Sequence, residues 1–458
     1  MSARVVVVGG GNAGLCAALS ARDAGAEVTL VERAPRHMRG GNSRHTRNIR
    51  VAHLEIDRFM VDPYPAEEFI DDITALNPGH AGSALIEMLV AESMSLPRWM
   101  ADHGVGWQPP LRGTLHLSRT NRFFLGGGKA LVNSYYRTAA AKGIDVRYEA
   151  EVIELRFDGE ACTGVEVRTP GGVEVLAADS VVVAAGGFEA NLDWLAESWG
   201  DAARNFIVRG TPYNDGRALR ILLRAGAEPI GDPSRIHAVA VDARSPKMDG
   251  GIVTRLDTIP IGIAVNRDGQ RFYDEGEDLW PKRYAQWGRL IAQQPGQLAF
   301  SILDAKRRHD VIPPIFQPYE SATVAGLAEL IGVAPDRLVA TVDAFNAHVG
   351  ADGTSDLAVL DGCSTTDLEP PKSNWALPID EPPFVAFPLR PGITFTYHGV
   401  AVDADARVRT ASGAFENVYA AGEIMAGNIM TRGYIAGIGM TVGSVFGRLA
   451  GRGAAARA

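Results

Sequence analysis

The sequence predicts an α/β fold: a three-layer, Rossmann-like domain wound round a parallel sheet, with an α+β capping domain inserted into it. Three observations carry this. A run of valines breaks into glycines, two later strands also end at glycine (Gly186 and Gly422), and the composition shifts between about residues 231 and 375.

The strand Val5-Val6-Val7-Val8 is β-branched throughout, as a parallel strand buried on both faces requires. It runs into Gly9-Gly10-Gly11-Asn12-Ala13-Gly14. Gly9 allows the tight turn, Gly11 lets backbone approach a pyrophosphate, and Gly14 lets the next helix, expected over Leu15 to Ala24, pack on the sheet. The phosphates then sit at the helix N-terminus beside Asn12 and Ala13, where free N–H groups and the dipole offset their charge. A second strand, Val28 to Val31, ends at Glu32 and Arg33. The Glu32 carboxylate accepts from both ribose hydroxyls and repels a 2′-phosphate, which leaves FAD or NAD.

Helical periodicity covers Ala66 to Leu76, Gly82 to His103 and, after Gly126-Gly127-Gly128, Lys129 to Lys142. Strand Val146 to Tyr148 and an antiparallel section (Val152 to Phe157, Gly164 to Arg168, Val173 to Leu176) precede the apolar strand Ser180 to Ala185, which ends at Gly186. Prolines punctuate residues 231 to 375, the expected cap, leaving residues 1–230 and 376–458 for the cofactor domain. Strands are then expected over Gly392 to His398, Gly399 to Val408 and Asn417 to Ala421, with a long helix over Gly433 to Ala450 and a frayed tail from Gly451 to Ala458.

At 458 residues and 46% hydrophobic composition, the chain can bury two cores. A net charge of −9 argues against a nucleic-acid partner. No run of eighteen apolar residues appears and no cleavage-site pattern follows the first apolar segment, so a cytoplasmic protein without an integral membrane segment is expected. Cys16, Cys162 and Cys363 are few and far apart, which favours free thiols over a disulfide frame, a metal site or an iron–sulfur cluster.

Three long segments narrow the reading: Arg39-Gly40-Gly41-Asn42-Ser43-Arg44-His45-Thr46-Arg47-Asn48, Val265 to Glu275, and Ala421-Gly422-Glu423 through Gly433-Tyr434 to Gly439-Met440-Thr441. With these in place the chain resembles the succinate dehydrogenase/fumarate reductase flavoprotein superfamily over nearly its full length, and within it the tricarballylate dehydrogenase flavoproteins. The resemblance implies FAD, held by Gly9, Gly11, Gly14, Glu32, the loop Gly40-Gly41-Asn42-Ser43, Gly127, Gly128, Val152, Ala185, Gly186, Gly422 and Glu423, with Gly439 and Met440 alongside. Relatives that attach the flavin covalently do so at the position that Ser43 occupies here, so the FAD is expected to be non-covalent. Arg44, His45, Arg47 and Arg50 either line the flavin's polar edge or the substrate mouth, or are solvated.

Oxidising a CH–CH bond beside a carboxylate needs a hydride acceptor, a proton path and cationic donors for the substrate's oxygens. By resemblance Arg283 is the proton-transferring arginine, with Lys282 one position away as the alternative, and His237, His398 and Arg432 bind carboxylate. Arg255, in Thr254-Arg255-Leu256-Asp257, replaces an acid of the relatives' proton relay, leaving Asp257, Asp274 or Glu275 as substitutes. An added cation suits a third carboxylate, so the expected reaction is tricarballylate to cis-aconitate, with a separate electron acceptor: a membrane-associated iron–sulfur protein, which would bring the chain to the inner membrane peripherally, or another carrier. The alternatives are a fumarate-reductase-like enzyme, a 3-ketosteroid-dehydrogenase-like enzyme using Tyr397 and Tyr434, and a non-catalytic flavin sensor or assembly subunit. His116, His309 and His348 fall outside any motif.

Overall fold

The computed structural model describes residues 2–80, 82–109, 117–350, 356–357 and 359–457, so His116 lies outside the described residues. Its main sheet has six strands in the order Arg407–Thr410, Gly413–Ala420, Ser180–Val183, Arg4–Val8, Glu27–Val31 and Asp145–Arg147. All neighbours are parallel except the first pair. The valine strand lies between Ser180–Val183 and Glu27–Val31, with Val5 paired to Ser180 on one side and Val28 on the other. Its burial on both faces follows from helices covering the sheet.

Two helices pack on one another across this domain, Asn12–Asp23 and Ile438–Ala455. The second carries a glycine every fourth residue along the contact. A Cβ on Gly447 would stand 2.4 Å from the Ala13 carbonyl oxygen, and one on Gly451 2.2 Å from that of Ala17. The small residues therefore set the interhelical distance. Asn12 pins the pair by donating from Nδ2 to the Met440 carbonyl (3.3 Å) and to Ser444 Oγ (3.0 Å). The helix differs from expectation at both ends. Gly437, at φ +85°, caps it, so Gly433 to Gly437 stay outside, and packing on Asn12–Asp23 extends it to Ala455 where a frayed tail was expected.

The antiparallel section forms as a three-stranded sheet, Glu151–Asp158, Ala161–Thr169 and Gly172–Ala177. Asn417 ties it to the main sheet through bonds to both backbone groups of Cys162 and to the Asp179 carbonyl. The expected helix Gly82 to His103 is two helices, Ala84–Ser93 and Leu96–Asp102, because Pro97 starts a new first turn.

A second sheet is built around one long strand, Phe384–Thr396. Ile207–Val208 pairs with it in parallel, while Ile236–Asp242, Ala299–Leu303 and Tyr319–Ser321 pair antiparallel, and Ile263–Asn266 follows Ala299–Leu303. The sheet thus draws on chain outside residues 231–375 on both sides. The expectation of separate strands at Gly392 to His398 and Gly399 to Val408 is corrected accordingly: the first begins at Phe384, and Gly399–Val400 is a two-residue strand paired with Pro229–Ile230. Helix Trp280–Ala292 lies over this sheet, burying Trp280, Tyr284, Trp287 and Ile291 at helical spacing.

Cys16 and Cys162 are buried free thiols, and Cys363 is half-buried. Among the described residues no helix is long and apolar enough to cross a membrane, and no acidic, histidine or cysteine cluster could hold a metal ion.

Gly447→Ala is expected to lower stability by about 1–3 kcal/mol, the usual range for overpacking. Denaturant titration of the purified protein checks it, and an unchanged midpoint would contradict the packing described.

Candidate active site

A single elongated cavity runs from the C-terminal edge of the main sheet to the face of the second sheet. Gly9, Gly186 and Gly422 stand at the ends of three adjacent strands and line it together. Gly9 is at φ +101°, where a Cβ would also meet the Ala184 carbonyl oxygen at 2.5 Å. Only glycine makes that approach. The N-termini of Asn12–Asp23 and Ile438–Ala455 open onto the same space, so two positive dipole ends face whatever fills it.

At the near end Glu32 is buried, and Oε2 accepts from Gly10 N (3.1 Å) while Oε1 accepts from Ala34 N (2.8 Å). Burial pushes its carboxyl above the usual range. Ser43 Oγ accepts from Asn12 N at 2.9 Å, which locks the turn Gly41–His45 against the first helix. Arg33 is held by Glu151 (3.3 Å) and Asp215 (2.8 Å).

Of the cofactor residues expected from sequence, Gly9, Gly11, Asn12, Ala13, Glu32, Arg33, Gly41, Asn42, Ser43, Val152, Ala185, Gly186, Gly422, Glu423, Gly439 and Met440 line this cavity. Four, Gly14, Gly40, Gly127 and Gly128, stand outside the lining. Gly14 sits under Gly9, where a Cβ would be 1.8 Å from the Gly9 carbonyl oxygen, and Gly40 packs on Val132. Gly127 and Gly128 back the 43–46 segment, Gly128 N donating to the Thr46 carbonyl at 2.7 Å. They shape the walls from behind.

Behind the middle of the cavity lie two buried carboxyls, Glu423 and Glu189. Glu423 Oε1 accepts from Thr396 N at 2.8 Å and from its hydroxyl at 3.2 Å. Glu189 Oε1 accepts from the Asn214 amide at 2.8 Å and from the Asn42 amide. Its Oε2 meets no donor, and the two carboxyls lie within hydrogen-bonding reach of each other. Burial raises both; the Glu189 charge and hydrogen bond push Glu423 further up, while the hydrogen bond with Glu423 draws Glu189 down.

At the far end the lining turns cationic and aromatic: Arg47, Arg209, Arg255, His237, Tyr284 and Tyr434. Arg255 forks Asp257 through Nε (3.1 Å) and Nη2 (2.8 Å), and Trp280 donates to the other Asp257 oxygen at 2.7 Å. Arg209 donates from Nη2 to Thr394 Oγ1 at 3.2 Å, but its Nε and Nη1, like Nη2 of Arg47, are buried without a partner. Burial first, then the Arg255 charge, draws the Arg47 and Arg209 guanidinium groups down to about 10. His237 is stacked flat on Tyr434 at 3.8 Å with its Nδ1 unpartnered, and burial with the neighbouring Arg209 and Arg255 keeps it neutral. The Tyr284 ring lies under the Arg255 guanidinium at 4.5 Å.

Five residues expected at the far end lie outside this lining. Arg283 is outside the lining; it projects from the polar face of Trp280–Ala292 to Glu277 (3.2 Å) and Asp278 (3.8 Å). Lys282 faces Asp72 at 3.7 Å. Arg432 is exposed, its backbone N donating to Asn77 Oδ1 at 3.0 Å, while Tyr434, two residues on, reaches the cavity. His398 bonds the Gly231 carbonyl at 3.1 Å beside Phe188 and Trp194, and Tyr397 is buried behind the wall. Asp257 reaches this end through Arg255, whereas Asp274 and Glu275 are spent on Ser373 and on Arg271 with Ala264 N. Nothing in the sequence singles out Arg209, and Arg47 reads there either as lining the site or as solvated. Tyr284 and Arg283 both fall at helical spacing from Trp280 and Trp287, so the signal that Tyr284 carries is its aromatic ring and not its position.

The FAD binding domain family matches residues 4–439. NADH:fumarate oxidoreductase of Klebsiella pneumoniae (strain 342) is 28% identical over 468 residues, covering 99% of this chain and 48% of that protein. The chain therefore spans about half the length of that relative. Among solved structures, the open conformation of a flavocytochrome c3 fumarate reductase superposes with TM-score 0.75 at 24% identity, over 99% of this chain and 78% of that one. 3-ketosteroid Δ1-dehydrogenase from Sterolibacterium denitrificans superposes with TM-score 0.78 at 19% identity, over 99% of both. These likenesses show the fold. The cavity's polar groups fit FAD: N–H donors of a helix N-terminus beside Gly11 for the diphosphate, the Glu32 carboxylate as acceptor for the ribose, and Glu423 with the second helix N-terminus along the remainder.

A carboxyl whose proton is held more tightly in the folded state stabilises fully below its unfolded value and loses that contribution as pH rises through the folded value. The apoprotein is therefore expected to lose stability from about pH 4.5 upward, and Glu189→Gln should flatten that loss. Parallel denaturation curves for the two proteins at several pH values check this, identical pH dependence being the contrary result.

Proposed function

We propose, for a chain that belongs to the FAD binding domain family within the succinate dehydrogenase/fumarate reductase flavoprotein superfamily, an oxidoreductase acting on the CH–CH bond of a polycarboxylate, with tricarballylate and cis-aconitate as the pair. One observation carries the reading: Arg47, Arg209 and Arg255 meet at one end of the cavity with a single carboxylate, Asp257, among them, and buried guanidinium donors are left over. Buried donors of this kind call for anionic oxygens.

FAD, when bound, supplies the hydride acceptor. The protein's own task is to hold the substrate and move a proton. Asp257 fixes Arg255, leaving Arg209 and Arg47 to take further carboxylates, and neutral His237 offers one more polar contact. Tyr284 exchanges the proton in place of Arg283. Its hydroxyl donates to a carbon of the double bond in the reductive direction, and its anion takes the proton back in the oxidative one. Burial raises this hydroxyl, while Arg255, Arg209 and Arg47 pull it down, so the cations that bind substrate also stabilise the phenolate. The FAD is non-covalent in this reading, since Ser43 occupies the attachment position and its Oγ is engaged by Asn12 N. The protein works in the cytoplasm and passes its electrons to a separate carrier.

A fumarate-reductase-like role would use the same arginines with the reaction reversed. A ketosteroid-like role draws on the fold and on Tyr284 and Tyr434, but a neutral steroid would leave the guanidinium donors unpaired. A sensor or assembly role needs no such cluster.

Anaerobic mixing with tricarballylate is expected to bleach the holoprotein's flavin, and Arg209→Leu should weaken tricarballylate by about 2–5 kcal/mol, the usual loss for a buried charge partner. Bleaching by 4-androstene-3,17-dione and not by any carboxylate would overturn the assignment. Tyr284→Phe should slow flavin reduction by about 10²–10⁴-fold while tricarballylate binding, read from the oxidised flavin spectrum, stays within a few-fold. The wild-type rate of flavin reduction by tricarballylate should rise with pH towards the raised tyrosine value; a Tyr284→Phe protein as fast as wild type would remove the residue from the mechanism.

A further inference from the structure

The turn Gly41–His45 is a wall one chain thick. Its inner residues Gly41, Asn42, Ser43 and His45 line the cofactor cavity, while Arg44 faces a separate groove on the outside, shared with Arg36, His37, Arg39 and Lys129. A bridge crosses the wall: Arg44 donates to Asp249 at 3.1 Å and His45 Nε2 meets the other oxygen of the same carboxylate. Arg39 lies over the Tyr136 ring at 4.3 Å and bonds the Tyr148 hydroxyl at 2.9 Å; Tyr136 in turn donates to the Gly10 carbonyl in the cavity wall.

The charges in this groove are unbalanced. Arg44 has Asp249, but no ion pair to Arg36, His37, Arg39 or Lys129 occurs among the described residues, in a chain whose net charge is −9. Arg36, His37 and Lys129 are exposed. They do not converge as donors round a small anion, because Arg39 and Arg44 are committed to neighbouring groups and the other three are free to swing. Such an arrangement steers a large partner instead of coordinating a small one. The apolar side chain lining the groove, Val132, is buried, so nothing is presented for insertion into a bilayer.

We propose that this groove docks the acidic face of a protein electron carrier. The purpose rests on the oxidoreductase reading above: each CH–CH oxidation releases two electrons and two protons, the electrons reducing the carrier across the thin wall and the protons passing to water.

The test uses holoprotein reduced with dithionite and desalted anaerobically, so it does not depend on any substrate. Oxidised flavodoxin, a small acidic carrier, is the probe, and menadione is the uncharged acceptor for comparison. Fluorescence anisotropy of labelled flavodoxin reads binding directly. Arg36→Glu/Lys129→Glu is expected to weaken flavodoxin binding and slow its reduction about tenfold at low ionic strength, as loss of electrostatic steering does. Raising salt from about 20 to about 300 mM should do the same to the wild type. Menadione reduction should change less than about twofold, since an uncharged acceptor is not steered. Unchanged flavodoxin binding in the variant, an equal loss with menadione, or a charge-dependent affinity for phosphatidylglycerol vesicles or NADH in place of flavodoxin would overturn the proposal. Arg36→Gln/Lys129→Gln, which removes charge without reversing it, should fall between the two; if it binds like the double glutamate variant, disruption of the loop and not charge is responsible.

Discussion

Buried positive charge in excess of buried negative charge is the constraint on which the far end of this molecule turns. Three guanidinium groups, Arg47, Arg209 and Arg255, share one carboxylate, and removing charges from water is costly unless they are paired. Folding absorbs part of that cost through Asp257, the Tyr284 ring and Thr394. The remainder is stored as unpartnered donors and as a neutral His237. In the proposed polycarboxylate reading an anionic substrate would complete the set, making binding and charge compensation one event.

The rest of the fold delivers that cluster to the cofactor. Parallel strands ending at Gly9, Gly186 and Gly422 bring backbone, not side chains, to the cofactor cavity, and two helix N-termini supply positive potential there. The long strand Phe384–Thr396 belongs to the second sheet, yet its end carries Thr396, which holds Glu423, and Thr394, which holds Arg209. One strand therefore sets Glu423 and Arg209 in register. Burial raises both Glu189 and Glu423 behind the same wall, which disfavours negative charge beside the cofactor.

Much of the near end was legible in the sequence because it depends on backbone. Val5 to Gly14 and Glu32 announce their geometry through glycine positions and an acid at a strand end, and the structure puts all but Gly14 of the named glycines in that turn on the cavity wall. The far end depends on side chains from separated segments, and motif alignment there slips by a residue or two. Arg283 and Tyr284 are neighbours about 100° apart round one helix, and both fall three or four residues from Trp280 and Trp287, so spacing alone does not say which of them reaches the cavity. Arg432 and Tyr434 pose the same choice within an irregular loop. Arg209 lies just beyond a two-residue strand whose partner is nearly two hundred residues away, so nothing local reveals it.

The excess-charge account is tested most directly by calorimetric titration of oxidised holoprotein with citrate, a tricarboxylate, against malate, a dicarboxylate. The account predicts one citrate per protein, bound at least about tenfold tighter than malate, as one further carboxylate on a desolvated guanidinium requires. Equal affinity for the two, or no binding of either, would contradict it.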